Sequence, residues 1–356
     1  MRTGKLPEHT FKRSVVNAVR YRNKDISYRT AVGYDGAVFG DMVTAMATTA
    51  FYYAGHELYA YNNAINNCIA AGGAPFAVSL AVMLPEHSEE STLRAVMDSL
   101  SKRAEADNID IIAGDTALVP TVSEPTIVIT AYGRRLWENI PKSVKAGMDI
   151  VMTKWTGLYG GAVLADIKRD ELLTRYPASY IDAAAAYMDQ TSLLPELGVI
   201  EALLETNDSF GGKISEDNYA GTDDDAKEDK PIHIFTAHDV SNGGVFGALW
   251  QILSACNMGV SIPVNVIPMK QEIIEICEFF NINPYMLNGQ GSMLLITDKG
   301  QALADRMKNS GINAVVLGKT VAGKKRVVTI GEEERFLVAP KGDMLGQVMY
   351  GQQVPV

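Results

Sequence analysis

Residues Ile234-Phe-Thr-Ala-His-Asp-Val-Ser-Asn-Gly-Gly-Val-Phe-Gly-Ala-Leu-Trp250 begin as a β-type apolar run and end in an acid, a polar turn and an apolar helix. That order predicts a strand followed directly by a helix, with Asp239 at the carboxyl end of the strand. It sets the backbone N–H groups around Gly243 and Gly244 at a helix N-terminus, where phosphate binds readily. Glycine lets the backbone approach an anion closely, and Asp239 offers a carboxylate to the metal that accompanies a polyphosphate. The same residues also make an ordinary strand-to-helix loop with Ser241 or Asn242 as the N-cap. The surrounding chain has to decide between the two.

Working outward, upstream of the motif the pattern gives a strand over 145–154, a loop over 157–161, a helix beginning near Ala162, and helices over 180–188 and 194–204. Downstream it gives a helix over 271–280, a strand over 292–297, a helix over 301–309, and strands over 314–317 and 326–330. Nearer the N-terminus, helices are expected over 7–21, 58–71 and 89–107. The helix over 58–71 stops at Gly72-Gly73 with Pro75 beyond. Strands are expected over 42–53, 76–84, 109–112 and 126–132, the third meeting Gly114-Asp115-Thr116. Strands alternating with helices make this a mixed α and β protein. At 356 residues the chain is too long for one ordinary core, so two domains are expected, 1–143 and 144–340, joined within 141–146. No short-period repeat is visible.

Composition narrows the class. Apolar residues are 47% and charged residues 21%, the balance of a soluble globular enzyme. No uninterrupted apolar run reaches about 18 residues, so no membrane span is expected, and the first residues lack the apolar core of a signal peptide. Cys68, Cys256 and Cys277 are widely spaced, which argues for a reducing, cytoplasmic setting and against a structural zinc site. Much of the net charge of −10 is local: the segment 205–230 holds nine acids against three lysines. It has no apolar periodicity and reads as a mobile surface insertion. Without clustered Lys and Arg, nucleic-acid binding is not expected.

Four polar clusters interrupt the apolar elements: Gly33-Tyr-Asp-Gly-Ala-Val38, the pairs Asn62-Asn63 and Asn66-Asn67 on one helix, Ala113-Gly-Asp-Thr116, and His238-Asp-Val-Ser-Asn-Gly-Gly244. Three of them set an Asp beside Gly or a small residue, the chemistry wanted for Mg²⁺ and a polyphosphate. An Asp next to Gly is more often a turn residue than a metal ligand. The i, i+4 spacing puts Asn62 with Asn66 and Asn63 with Asn67, and either pair could equally bridge neighbouring elements. Cys68 reads as a small buried hydrophobe, and His238 as a structural hydrogen-bonder.

Taken in order, these clusters resemble the AIR synthase superfamily, which includes aminoimidazole ribonucleotide synthase, selenophosphate synthetase, thiamine-monophosphate kinase and HypE. The resemblance runs from Gly4-Lys-Leu-Pro7 to about Leu317, apart from the acidic segment, and is closest to HypE-like proteins. Its other supports are Gly114-Asp-Thr116, Asp239-Val-Ser-Asn-Gly-Gly244 and Cys277-Glu-Phe-Phe-Asn-Ile-Asn-Pro-Tyr-Met-Leu-Asn-Gly-Gln-Gly-Ser-Met-Leu-Leu295. It implies an α+β, two-domain PurM-like fold. The N-terminal mixed α/β domain would bind ATP and form a dimer β-barrel with a second copy, and an α/β domain would follow. It also implies ATP and Mg²⁺ as cofactors, with Asp35, Asp115 and Asp239 on the metal and Asp239 and Asp115 as the catalytic pair. Lys5, Asn67, Gly114, Thr116, Ser241, Asn242, Gly243 and Gly244 would surround the nucleotide, although a lysine so near a terminus is ordinarily solvated.

Members activate an oxygen by phosphorylating it; in HypE the oxygen belongs to a carbamoyl group on a C-terminal cysteine. This chain departs from the pattern. Thr48-Thr49-Ala50 stands where an acid follows two threonines, Asn66-Asn67 replaces an Asn-Asp pair, and Gln290-Gly291 replaces a Glu-Gly turn. No cysteine follows Cys277, so the carbamoyl acceptor is expected to be missing. The leading expectation is a HypE-like, ATP-dependent enzyme acting on a small-molecule or carrier-protein acceptor, in the context of metalloenzyme maturation. Two others stand beside it: a non-catalytic nucleotide-binding maturation scaffold, and an AIR synthase-like ligase of purine biosynthesis.

Overall fold

The computed structural model describes residues 6, 8–28, 30–49, 51–206, 231–339 and 342–351. Two sheets carry the fold. The first contains β1 (Ile26–Tyr28), β2 (Ala37–Phe39), β3 (Met42–Thr48), β4 (Gly73–Leu84), β5 (Asp110–Leu118) and β6 (Thr126–Arg135), in the order β1-β2-β3-β6-β4-β5. Only β4 and β5 run parallel. The second contains β7 (Asp149–Thr153), β8 (Ile234–Val240), β9 (Gly259–Pro263), β10 (Ser292–Thr297), β11 (Ala314–Val321), β12 (Arg326–Ile330) and β13 (Glu333–Phe336), in the order β13-β12-β9-β11-β7-β10-β8. Here only β9 and β12 are parallel. The α+β expectation therefore holds, with one sheet in each half of the chain.

Alternation builds the first sheet. Val43, Ala45 and Ala47 on β3 and Ile127, Ile129 and Ala131 on β6 point inward, while Met46 and Thr48 point out. The inward face is covered by the helices His56–Ala70 and Glu90–Ala106, the latter through Val96, Leu100 and Ala104. Strands β7, β8 and β10 are buried on both faces because helices and a second core cover them from both sides. One hydrophobic cluster spans the halves, holding Val43 and Ile129 together with Ala237, Met293 and Leu295.

Several boundaries differ from the sequence reading. The helix expected over 7–21 is a turn of α-helix, Glu8–Phe11, followed by a π-turn, Lys12–Val16; neither buries a residue, so no packed face extends it. Strand β3 ends at Thr48. Strand β5 does not stop before Gly114-Asp115-Thr116 but runs through it, because β4 offers a parallel partner as far as Leu118. Gly114 lies so close to β4 that a Cβ there would sit 2.5 Å from the Leu80 carbonyl oxygen. Strands β1, β2, β9 and β13 and the helix Met344–Tyr350 add to what the pattern gave. Most of the acidic segment, 207–230, and Lys5 and Ala50 lie outside the described residues. Among the described residues no helix is long and apolar enough to cross a membrane.

The helix His56–Ala70 is the centre of the assembly: every residue except Leu58 and Asn67 is buried. Its polar side chains fasten the second half of the chain. Asn62 Nδ2 donates to Thr191 Oγ1 at 3.0 Å, Asn66 Nδ2 donates to the Thr191 carbonyl at 2.9 Å, and Asn66 Oδ1 accepts from Leu193 N at 2.9 Å. Of the two roles open to this pair, bridging is the one observed. Nearby, Lys154 adopts a left-handed backbone (φ 53°) that turns its ammonium inward. Its Nζ donates to the carbonyls of Ser192 (2.6 Å) and Gly291 (2.9 Å) and to Glu196 Oε2 (3.0 Å). All three ammonium protons are used, and Glu196 is wholly buried. Removing one partner strands the other charge, so Lys154→Met is expected to destabilise the fold by about 3–5 kcal/mol in urea unfolding. Lys154→Met/Glu196→Leu should recover most of that loss, because no unpaired buried charge remains.

Candidate functional site

Strand β8 ends at a junction of three elements. The loop Gly33-Tyr-Asp lies directly on the helix Gly244–Cys256: Gly33 has φ 76°, and a Cβ there would fall 2.2 Å from the Gln251 carbonyl oxygen, so only glycine permits the contact. The close approach carries Asp35 to the end of β8. Asp35 Oδ2 accepts from the Asp239 backbone N–H at 3.4 Å. Asp35 Oδ1 is 3.3 Å from His238 Nε2, and Asp239 Oδ1 is 3.4 Å from His238 Nδ1.

One ligand atom from each of Asp35, His238 and Asp239 lies within 4.8 Å of the others. His238 and Asp239 are 1% and 2% exposed, and Asp239 Oδ2 is buried with no hydrogen-bond partner. Two carboxylates concentrated in a low-dielectric pocket with an unfilled lone pair call for positive charge. A cavity of about 320 Å³ opens beside Asp35, lined also by Phe11, Tyr34, Trp250 and Gln251. The Trp250 ring forms part of its wall, fixed by its Nε1–H donating to Glu8 Oε2 at 2.7 Å and by the Arg326 guanidinium 4.8 Å from the ring centroid.

The structure brings Asp35 and Asp239 together, as the resemblance implied, and leaves Asp115 apart. Gly114, Asp115 and Thr116 are exposed on β5, at the edge of the first sheet. Asn67 is half-buried on the central helix. Gly243 and Gly244 do open a helix, but the N-cap is Gly243 and not Ser241 or Asn242, since neither side chain caps the helix. The donors around this turn have protein partners. Gly243 N–H donates to Asp343 Oδ2 at 2.7 Å, Gly244 N–H to the Ser241 carbonyl at 3.0 Å, and Asn242 Nδ2 to Tyr59 Oη at 2.9 Å.

Sequence reasoning missed four contributors: His238 as a member of the cluster, and Gln251, Tyr59 and Asp343. Burial, with the Asp343 and Asp239 carboxylates nearby, holds the Tyr59 phenol well above its ordinary range, so it keeps its proton. Asp343 carried a signal, an Asp directly before the apolar run Met344-Leu345, and its side chain does cap the helix Met344–Tyr350 by accepting from Leu345 N at 2.9 Å.

Burial raises Asp343 to about 6, against the lowering effect of backbone N–H bonds from Gly243, Leu345 and Asn288. The sign follows. Below about pH 4 both folded and unfolded chains are protonated there. As the pH climbs to about 6 the unfolded chain releases a proton that the folded chain retains. Folding stability should therefore fall over that window, by an amount on the order of 2–3 kcal/mol, and then level off. The difference between wild type and Asp343→Asn in urea unfolding from pH 4 to 7 isolates this component.

Family models for AIR synthase related proteins match the chain twice, the N-terminal domain over 27–135 and the C-terminal domain over 224–331. The carbamoyl dehydratase HypE of Rhodobacter capsulatus is 24% identical over 298 residues, covering 81% of this chain and 75% of that protein. HypE solved in a HypE–HypF complex superposes with a TM-score of 0.68 at 20% identity, covering 94% of this chain and 99% of that one. HypE solved with ATP superposes with a TM-score of 0.63 at 17% identity, covering 94% and 92%. At these identities the structural likeness speaks for the fold.

Proposed function

The chain belongs to the AIR synthase related family and is HypE-like within it, and from that premise we propose that it is an ATP-dependent enzyme. It holds nucleotide with a divalent cation at Asp35 and Asp239 and activates an oxygen of an acceptor by phosphoryl transfer. The observation that carries this reading is the buried, unpartnered Asp239 Oδ2 beside a second carboxylate, Asp35. Two hard oxygen donors with a lone pair unspent fit Mg²⁺. Bound there, Mg²⁺ would offset the charge that builds on a transferring phosphoryl group. The neighbouring cavity, at about 320 Å³, is of small-ligand size, and Phe11 and Trp250 give it aromatic walls suited to a base. The ATP complex of a HypE neighbour supports nucleotide as that ligand.

The acceptor is not one of the cysteines of the described residues. Cys68, Cys256 and Cys277 are all buried, and burial pushes each thiol up to about 12, so none is held as a thiolate. This reading takes as acceptor a small molecule or a group on a carrier protein, in metalloenzyme maturation of the hydrogenase type, as the names of its relatives suggest. The HypE–HypF complex supports a protein partner. One observation favours the alternative of a nucleotide-binding scaffold without turnover: the Gly243 amide is taken by Asp343. ATP hydrolysis measured with and without acceptor separates the two readings, since a scaffold shows none.

The active unit in this reading is a cytoplasmic homodimer. The first sheet leaves Met46 63%, Ile112 59%, Leu118 57% and Phe76 40% exposed, apolar surface that a second copy would cover, with Asp115 on the adjoining edge strand. Sedimentation at micromolar concentration should give a dimer; a monomer counts against this arrangement. For the site itself, Asp239→Asn should leave the apo protein folded and abolish its Mg²⁺-dependent stabilisation by ATP. The expected loss is on the order of 2–3 kcal/mol at saturating nucleotide, read by thermal melting. A wild-type protein that ATP, ADP and Mg²⁺ all fail to shift would remove the nucleotide reading.

A further inference from the structure

We propose that a second cavity, where the first half of the chain hands over to the second, binds a small planar carboxylate. It measures about 270 Å³ and lies among β1, β2, the end of β6 and the crossing segment 139–142. Of its lining residues only Tyr34 also lines the cavity beside Asp35, so the proposal goes beyond the nucleotide reading and does not depend on it. Much of the wall is flat and aromatic. The Tyr28 and Tyr34 rings lie 4.1 Å apart between centroids at 32°, and Trp137 adds a third ring. Such walls favour a ligand with a planar body.

The unspent polar groups of the lining are donors. Trp137 is 3% exposed, and its indole Nε1–H is buried with no acceptor. Tyr28 is 4% exposed, and its hydroxyl likewise finds no acceptor. Burial, with the Asp35 carboxylate nearby, holds the Tyr28 phenol well above its ordinary range, so it keeps its proton. Arg135 has its nearest carboxylates, Asp41 Oδ1 and Glu138 Oε1, at 3.6 and 3.7 Å, too far for a hydrogen bond. Lys142, exposed, is a second cation of the lining. The acceptors, by contrast, are engaged within the protein. Asn139 Oδ1 accepts from Thr236 Oγ1 at 2.6 Å, the Ile140 carbonyl from Ser143 Oγ at 2.7 Å and the Pro141 carbonyl from Val144 N at 3.3 Å. Glu138 is the single acid of the lining, and the Arg135 guanidinium lies beside it. Buried donors without acceptors, together with two cations against one acid, call for a ligand that brings oxygen and a negative charge. A carboxylate brings both, and its two oxygens match the fork of a guanidinium. Inorganic phosphate offers no apolar body to the aromatic walls.

Benzoate is the probe, titrated into the untagged full chain carrying ¹⁵N-labelled tryptophan. The chain has three tryptophans, and Trp137→Phe identifies the indole resonance of Trp137. Benzoate should bind once per chain and move that resonance downfield, as an indole N–H does on gaining an anionic acceptor. Benzamide, the same ring without the charge, should bind the wild type at least about tenfold more weakly by calorimetry. That comparison does not depend on any variant folding. Arg135→Gln, a change at an exposed residue, should weaken benzoate by a similar factor. No benzoate binding, or binding that leaves the Trp137 resonance in place, overturns the proposal. Inorganic phosphate binding as tightly as benzoate overturns it too, because it marks a bare anion site. Repeating the benzoate titration in saturating ATP and Mg²⁺ keeps the two cavities apart. Benzoate that still binds supports a separate site, and benzoate displaced by ATP belongs to the cavity beside Asp35 and overturns the proposal. A protein that takes benzoate but shows no response to ATP loses the nucleotide reading alone.

Discussion

A helix enclosed on nearly all sides favours partners for its polar side chains, and His56–Ala70 finds several of them by drawing the second half of the chain onto itself, while the Tyr61 hydroxyl and the Asn62 and Asn63 side-chain oxygens stay unmatched. Each unmatched buried polar group would cost about 1–3 kcal/mol, so the matching is strongly selected for by the fold. Asn62 and Asn66 engage Thr191 and Leu193, the Tyr59 carbonyl accepts from Gln290 Nε2 at 2.9 Å, and Asn139 Nδ2 joins the carbonyls of Ala70 and Ala237. Through these bonds one helix of the first half sets the position of β8 and β10 in the second. Asp239 itself is held by pairing of β8 with β10 at Met293 and by its backbone N–H donating to Asp35. The oxygens left over, on Asn62, Asn63, Gln290 and Asp239, cluster along the elements that meet this helix.

The same constraint explains a departure from the family pattern. Gln290 is fully buried, and its amide nitrogen donates to a backbone carbonyl. A glutamate there would turn a negative oxygen toward the Tyr59 carbonyl in a site with no access to water, a loss on two counts. In this chain the position asks for a donor. The neutral residue is thus a packing choice as much as the loss of a ligand.

What the sequence could disclose was local. A β-type apolar run followed by Gly-Gly and a second apolar run reads as a strand turning into a helix, so Asp239 at a strand end was legible, and so was the shared face of Asn62 and Asn66. What it could not disclose was distance. Asp35 and Asp239 are 204 residues apart, and they meet because Gly33 lets one loop lie on the Gln251 carbonyl, a contact with no periodic signature. His238 was hidden for another reason. Neighbours along a strand face opposite ways, and only the bond from its ring to the Asp239 carbonyl brings the imidazole back toward its neighbour. Strand β5 was cut short because Gly-Asp-Thr reads as a turn until a parallel neighbour is seen to claim its backbone.

The carboxylate of Asp343 on the Gly243 amide has a further meaning. A helix N-terminus attracts anions without regard to their source, and here the anion is part of the chain. An intramolecular ligand acts at an effective concentration of about millimolar or above, so a phosphate arriving from solution enters a competition already under way. Its success would depend on the helix Met344–Tyr350, which Asp343 caps through Leu345 N. The C-terminal helix is in this sense a tethered rival for the amide. Whatever loosens that helix would leave the Gly243 amide without its internal acceptor.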